Sequence, residues 1–166
     1  MSNSSTVRQH YKQPPIYEEL TKGHEIFDTK LDLFVFAACV GYAHGRCLTE
    51  GYEGSGDDQG EMHWMHFSDK DLYRAIAASI AYQHHHEASA LVEPTTQLET
   101  FAMYAAGGIE VIEDKFGDIK GDPTDAILSF IQDWDEKDDT DKRQTVLGDI
   151  MGSFDDEMYA DDSLQS

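Results

Sequence analysis

The chain has 166 residues, 40% of them apolar, which is enough for one domain with a buried core and too many for wholesale disorder. Thirty-three Asp and Glu against twelve Lys and Arg leave a formal charge of −21, which repels nucleic-acid phosphates and anionic lipid and argues against direct DNA binding. Two cysteines, Cys39 and Cys47, make neither a disulfide framework nor a CxxC pair.

The acidity is uneven. Residues 1–46 hold five acids and five bases, residues 47–112 eleven acids and two bases, and residues 113–166 seventeen acids and five bases. Only the first third is electrically suited to an acidic partner.

In chain order, residues 1–15 are polar and end in "QPP", which predicts a flexible arm. The start lacks a signal-peptide core, and no apolar run approaches the ~20 residues of a membrane span, so the expectation is a cytoplasmic, reduced protein with no membrane contact. "IYEELT" predicts a short helix before Gly23. The first strong helix follows in "DTKLDLFVFAACVGYAHGR", opened by Thr29 and Asp32 as a capping box. Leu33, Phe36, Ala37 and Val40 fall on one face and Phe34, Ala38 and Gly41 on the next, so this helix belongs in the middle of the core.

Between Arg46 and Ser68 the pattern changes. "TEGYEGSGDDQGE" reads as a flexible acidic loop and "EMHWMHF" as a strand, paired with "RCLT" in a small β-hairpin near residues 46–67. Ser68 with Asp71 predicts a second capping box, with Phe67 and Leu72 as a hydrophobic staple. A third helix starts near Thr96 and carries Leu98, Phe101, Ala105, Ile109, Ile112 and Phe116. Gly107 and Gly108 interrupt it and predict a kink or a close helix contact. "GDPTDAILSFIQDW" predicts a helix that starts at Asp122 and Pro123. "DEKDDTDKR" then reads as a charged linker.

The fold expectation is therefore mainly α, a compact helical domain over 16–134 with a small β-hairpin, followed over 135–166 by an acidic linker and an amphipathic C-terminal arm. In that arm Val146, Leu147, Ile150, Met151, Phe154 and Met158 form an apolar stripe among acids, suited to docking in a basic groove or to packing on its own domain.

The most enzyme-like string is "AYQHHHEAS". Successive residues on a helix are about 100° apart, so His84, His85 and His86 cannot converge on one ion; the expectation is a solvated helix end whose histidine charge suits the helix dipole. His63 and His66 lie in the predicted strand and should face opposite ways. Nucleophile elbows, phosphate loops and EF-hand spacing are absent from the sequence, and Cys39 sits among apolar residues as a packing side chain. These readings give no catalytic residue, no metal ligand and no cofactor. A metal-dependent enzyme assembled from His44, His63 or His66 with a carboxylate stays open as an alternative.

Four blocks in order, "IFDTKLDLFVFAACVGYAHGR", "HWMHFSDKDLYRAIAASIA", "LETFAMYAAGGIEVIEDKF" and "GDPTDAILSFI", resemble the Dnd system-associated protein 4 family. The resemblance implies an accessory component of a DNA phosphorothioation system linked to restriction and antiphage defence. It brings no catalytic residues. It also implies further basic residues after Arg46, where this chain has Cys47 and Leu48, which leaves Arg46 as the one anionic contact to consider there. The resulting expectation is a non-enzymatic adaptor that binds a basic protein partner of a modification or restriction complex. An acidic mimic of DNA is the other binding reading.

Overall fold

The computed structural model describes residues 6–141. Its elements run β1 (Arg8–Lys12), α1 (Ile16–Glu18, continued by a π-helical turn Glu19–Gly23), α2 (Lys30–Ala43), β2 (Gln59–His63), α3 (Asp71–His85), α4 (Pro94–Phe116) and α5 (Thr124–Asp141). The architecture is mainly α with one two-stranded antiparallel sheet, as the sequence pattern predicts. Among the described residues no helix is long and apolar enough to cross a membrane. The described residues divide into two units, one ending at Asp122 and the other beginning at Pro123.

α2 forms where expected and for the expected reason. Asp32 N–H donates to Thr29 Oγ1 and Thr29 N–H donates to Asp32 Oδ2, each at 3.2 Å, so two orphan donors of the first turn are satisfied reciprocally. The helix is buried over most of its circumference. α4 is the other central element, with Leu98, Phe101, Ala105, Ile109, Ile112 and Phe116 all buried. It begins at Pro94, two residues before Thr96, because Pro fits the first helical position and needs no N–H partner there. It runs through Gly107 and Gly108 without a break.

The two helices are joined through a file of aromatic rings. Tyr17, Tyr11, Phe34, Phe101 and Phe67 follow one another with centroids 5.5, 4.9, 5.4 and 6.0 Å apart, in tilted or edge-to-face contact.

The sheet differs from expectation. β2 pairs with β1, in the register His10 opposite Glu61 and Tyr11 opposite Gly60, and not with residues 46–49. So the stretch expected to be a flexible arm supplies a strand. The physical reason is Tyr11: its ring is 2% exposed and belongs to the aromatic file, which fixes β1 in place while Arg8 and His10 stay outside. The acidic loop after Arg46 is tied down as well, since Lys12 N–H donates to the Tyr52 carbonyl at 2.8 Å and Gln13 N–H to that of Asp58 at 2.6 Å.

The second capping box does not form. β2 ends at His63 and a 3₁₀ turn, Trp64–Phe67, follows; Ser68 Oγ donates to the Met65 carbonyl at 2.7 Å and α3 starts only at Asp71. Phe67 is buried but Leu72 is 69% exposed, so no staple links them. α5, in the second unit, starts at Thr124, with Ile127 N–H donating to the Pro123 carbonyl at 3.0 Å. Its backbone continues as helix to Asp141, through residues read as linker.

Candidate functional site at the crossing of two helices

Gly41 of α2 and Gly107 and Gly108 of α4 bring two backbones into direct contact. A Cβ on Gly108 would lie 1.7 Å from the Ala37 carbonyl oxygen, and one on Gly41 2.0 Å from that of Tyr104. At Gly107 the obstacle is the Arg46 carbonyl oxygen, again at 2.0 Å. Only a residue without Cβ fits at each position, so the glycine pair reads as a close contact and not as a kink.

This contact lays the segment after α2 across α4. Gly45 turns the chain with φ +65°, and Leu48 N–H then donates to the Met103 carbonyl at 3.1 Å. Arg46 and Cys47 are thereby fixed over the middle of α4. Arg46 meets Glu110 at 3.1 Å, and Lys12 reaches the other oxygen of the same carboxylate at 3.2 Å. Arg46, expected as a contact for an anionic ligand, is thus matched by an internal carboxylate.

Cys47 hydrogen-bonds Tyr104. Burial pushes the Cys47 thiol up and the Tyr104 bond opposes that without overcoming it, so the sulfur stays a thiol at neutral pH. The Tyr104 hydroxyl is itself pushed up, first by burial and then by Cys47 and Tyr42. On its other side Tyr104 shares a 3.0 Å hydrogen bond with His84 Nδ1.

The histidine triplet is not a solvated terminus throughout. His84 is half-buried against Tyr104, and burial together with His85 and His86 lowers its pKa. Thr100 Oγ1 donates its single proton to the Thr96 carbonyl at 2.7 Å, so at 2.9 Å it accepts from His85 Nε2–H, which sets the His85 tautomer. His86, at φ 56°, ends α3. The three rings do point to three different places, as helical spacing requires. The anchoring missed from the sequence comes from Thr100 and Tyr104, four apart on α4, which present two hydroxyls on one face.

The remaining candidates fall elsewhere. Because the strand stops at His63, the following turn brings His66 round to an edge-to-face contact 5.8 Å away, so the two rings are neighbours and not on opposite faces. His63 Nε2 lies 2.8 Å from Glu61 Oε1. Cys39 is partly buried on α2, with its thiol pushed up by that burial. Among the described residues no three His, Cys, Asp or Glu side chains are placed to hold a metal ion. Val146, Leu147, Ile150, Met151, Phe154 and Met158 lie outside the described residues.

The site therefore joins the two glycine-bearing blocks, "GYAHGR" and "YAAGGIE", that carried the resemblance. The family described as DNA sulphur modification system-associated protein 4 matches residues 7–149. The chain belongs to this family. Membership in the DNA sulphur modification system-associated protein 4 family attaches it to a system that modifies DNA with sulphur. No curated protein and no solved structure matches the chain.

Proposed function

We propose that the protein is a non-catalytic accessory component of its DNA sulphur modification system, acting through protein contacts in the cytoplasm and contributing to antiphage defence. Its acidic surface meets a basic surface on a partner of the modification or restriction complex. The observation that carries this reading is how its cations are used. Lys12 and Arg46 close on Glu110, Lys22 and Lys30 on Glu18, and Arg74 on Asp71, in a chain of net charge −21. These five cations, among the described residues, are balanced by the chain's own carboxylates and not left for a phosphate backbone, whereas a basic protein surface finds acids in excess. The stripe of Val146, Leu147, Ile150, Met151, Phe154 and Met158 is the first docking segment to test.

The test is affinity capture from the native host with the full chain and with residues 140–166 removed. Identified components of the sulphur modification system should co-purify with the full chain and be released as salt is raised. Their loss on truncation supports the docking arm, and their retention moves the interface to the folded body. If no component of the system is captured by either form, the reading fails. Displacement of labelled DNA from the captured partner by this protein would point to charge mimicry instead of an adaptor.

A further inference from the structure

Three side chains from three parts of the chain share one chain of hydrogen bonds. The Gly45 turn sets Cys47 beside Tyr104, and the end of α3 sets His84 Nδ1 3.0 Å from the same hydroxyl. Tyr104 is 9% exposed, and its single O–H proton serves one neighbour at a time. With His84 neutral that neighbour is Nδ1, because an unprotonated imidazole nitrogen is a good acceptor and a thiol sulfur a weak one. The Cys47 S–H then donates to the Tyr104 oxygen, so the bonds run from thiol to phenol to imidazole.

The surroundings leave His84 as the member that changes. His85 donates from Nε2–H to Thr100 whether its ring is neutral or charged, so this contact holds α3 on α4 in both states. The 3₁₀ turn Ala88–Leu91 packs on α3 and α4 and brings no titratable side chain; Gln97 fixes it by donating from Nε2 to the Ala90 carbonyl at 2.9 Å. The groups that bear on His84 are His85 and His86 from its own helix, Tyr104 from α4 and, behind Tyr104, Cys47 and Tyr42. None of them is a carboxylate. Burial, followed by His85 and His86, lowers the His84 pKa, so the ring gains its proton only in acid.

We propose that His84 controls the nucleophilicity of Cys47 through Tyr104: protonating the imidazole reverses both hydrogen bonds and turns the Tyr104 O–H from Nδ1 to the Cys47 sulfur. Charged imidazole has a proton on both nitrogens, so Nδ1–H must donate to the Tyr104 oxygen, and the phenol proton is left to point at Cys47. A thiolate there gains a donor it lacks when His84 is neutral. The proton taken up by His84 comes from water and the one released by Cys47 goes to water. Cys47 is half-buried and within reach of a small electrophile. The coupling is independent of the adaptor reading, since it concerns how the end of α3 acts on a thiol laid over α4.

The probe is N-ethylmaleimide, whose alkene carbon bonds to a thiolate sulfur while the neighbouring carbon takes a proton from water. The full chain is labelled for set times between about pH 7.5 and about pH 5, a range that brackets ordinary histidine titration. Trypsin then cuts after Arg46, which puts Cys39 and Cys47 on separate peptides for mass spectrometry. Cys39, beside Tyr73, is the internal reference. Two uncoupled thiols lose rate equally as pH falls, and their ratio stays flat. Here the ratio of Cys47 to Cys39 labelling should rise by about threefold or more toward the acid end, the scale of a nearby charge and a hydrogen bond gained. His84→Gln, which cannot take the proton, and Tyr104→Phe, which lacks the hydroxyl, should each give a flat ratio with unchanged far-ultraviolet circular dichroism. A flat ratio in the wild type overturns the proposal. So does a rise that persists in Tyr104→Phe or His84→Gln, which would assign it to opening of the α3 end in acid.

Discussion

His84 is the residue whose protonation the fold most clearly opposes. Its pKa is lowered by burial and by its two histidine neighbours, so in the window between that lowered value and the ordinary ~6.5 the unfolded chain binds more protons than the folded one. Stability contributed here is present above the unfolded value and is lost as pH falls through the window. We expect the urea midpoint to fall between about pH 7 and pH 5, and His84→Gln to fall less over the same range; equal slopes would remove His84 as the cause. Gln97 supplies a second test at this scale. Gln97→Leu keeps the volume but strands the buried Ala90 carbonyl, and should cost about 2 kcal/mol in urea unfolding. The burial of His84 and the bond of Gln97 are not visible in local sequence, because Tyr104 lies on another element and Ala90 across a turn.

Among the elements, the α2–α4 crossing sets how far the chain tolerates change. Gly108→Ala places a methyl 1.7 Å from the Ala37 carbonyl oxygen, so the helices must separate; a loss of about 3 kcal/mol and a clear fall in Tm are expected. Gly45→Ala is the contrast. It has φ +65° and no atom within 4 Å of where a Cβ would lie, so only the left-handed backbone resists, at about 1 kcal/mol. Similar losses at the two positions would show that steric contact is not what the α4 glycine pair provides. The glycine pair was legible in the sequence as a kink or a contact, and the helix it meets was legible as central. What joined them was not, because three glycines in two blocks more than sixty residues apart carry no mark of their pairing.

For the molecule as a whole, net charge −21 means self-repulsion in the folded state, only partly relieved by ion pairs such as those at Glu18 and Glu110. Raising NaCl from about 10 mM to about 300 mM shortens the screening length from roughly 30 Å to below 8 Å, and Tm should rise by several degrees. A flat or falling Tm would mean that the internal pairs outweigh the repulsion. The same salt should weaken capture of a basic partner, so stability and association are expected to move in opposite directions.

The amino-acid sequence by itself determined the elements whose causes are local. The Thr29–Asp32 capping box, the apolar faces of α2 and α4 and the Pro at the head of α4 each act within one or two turns of helix. It also carried, in the order of its blocks, the family to which the chain belongs. Tertiary structure alone decided the partner of β2, although the alternation of Arg8, His10 and Lys12 around Tyr11 was a period-two signal for β1. It also decided that Ser68 does not cap α3, that His84 and His85 lean on α4, and that Leu91 and Val92 face water. Caps and periodicities are written in residues that touch along the chain; pairing and exposure depend on which apolar surfaces meet, and that is settled only when distant segments compete for the same core.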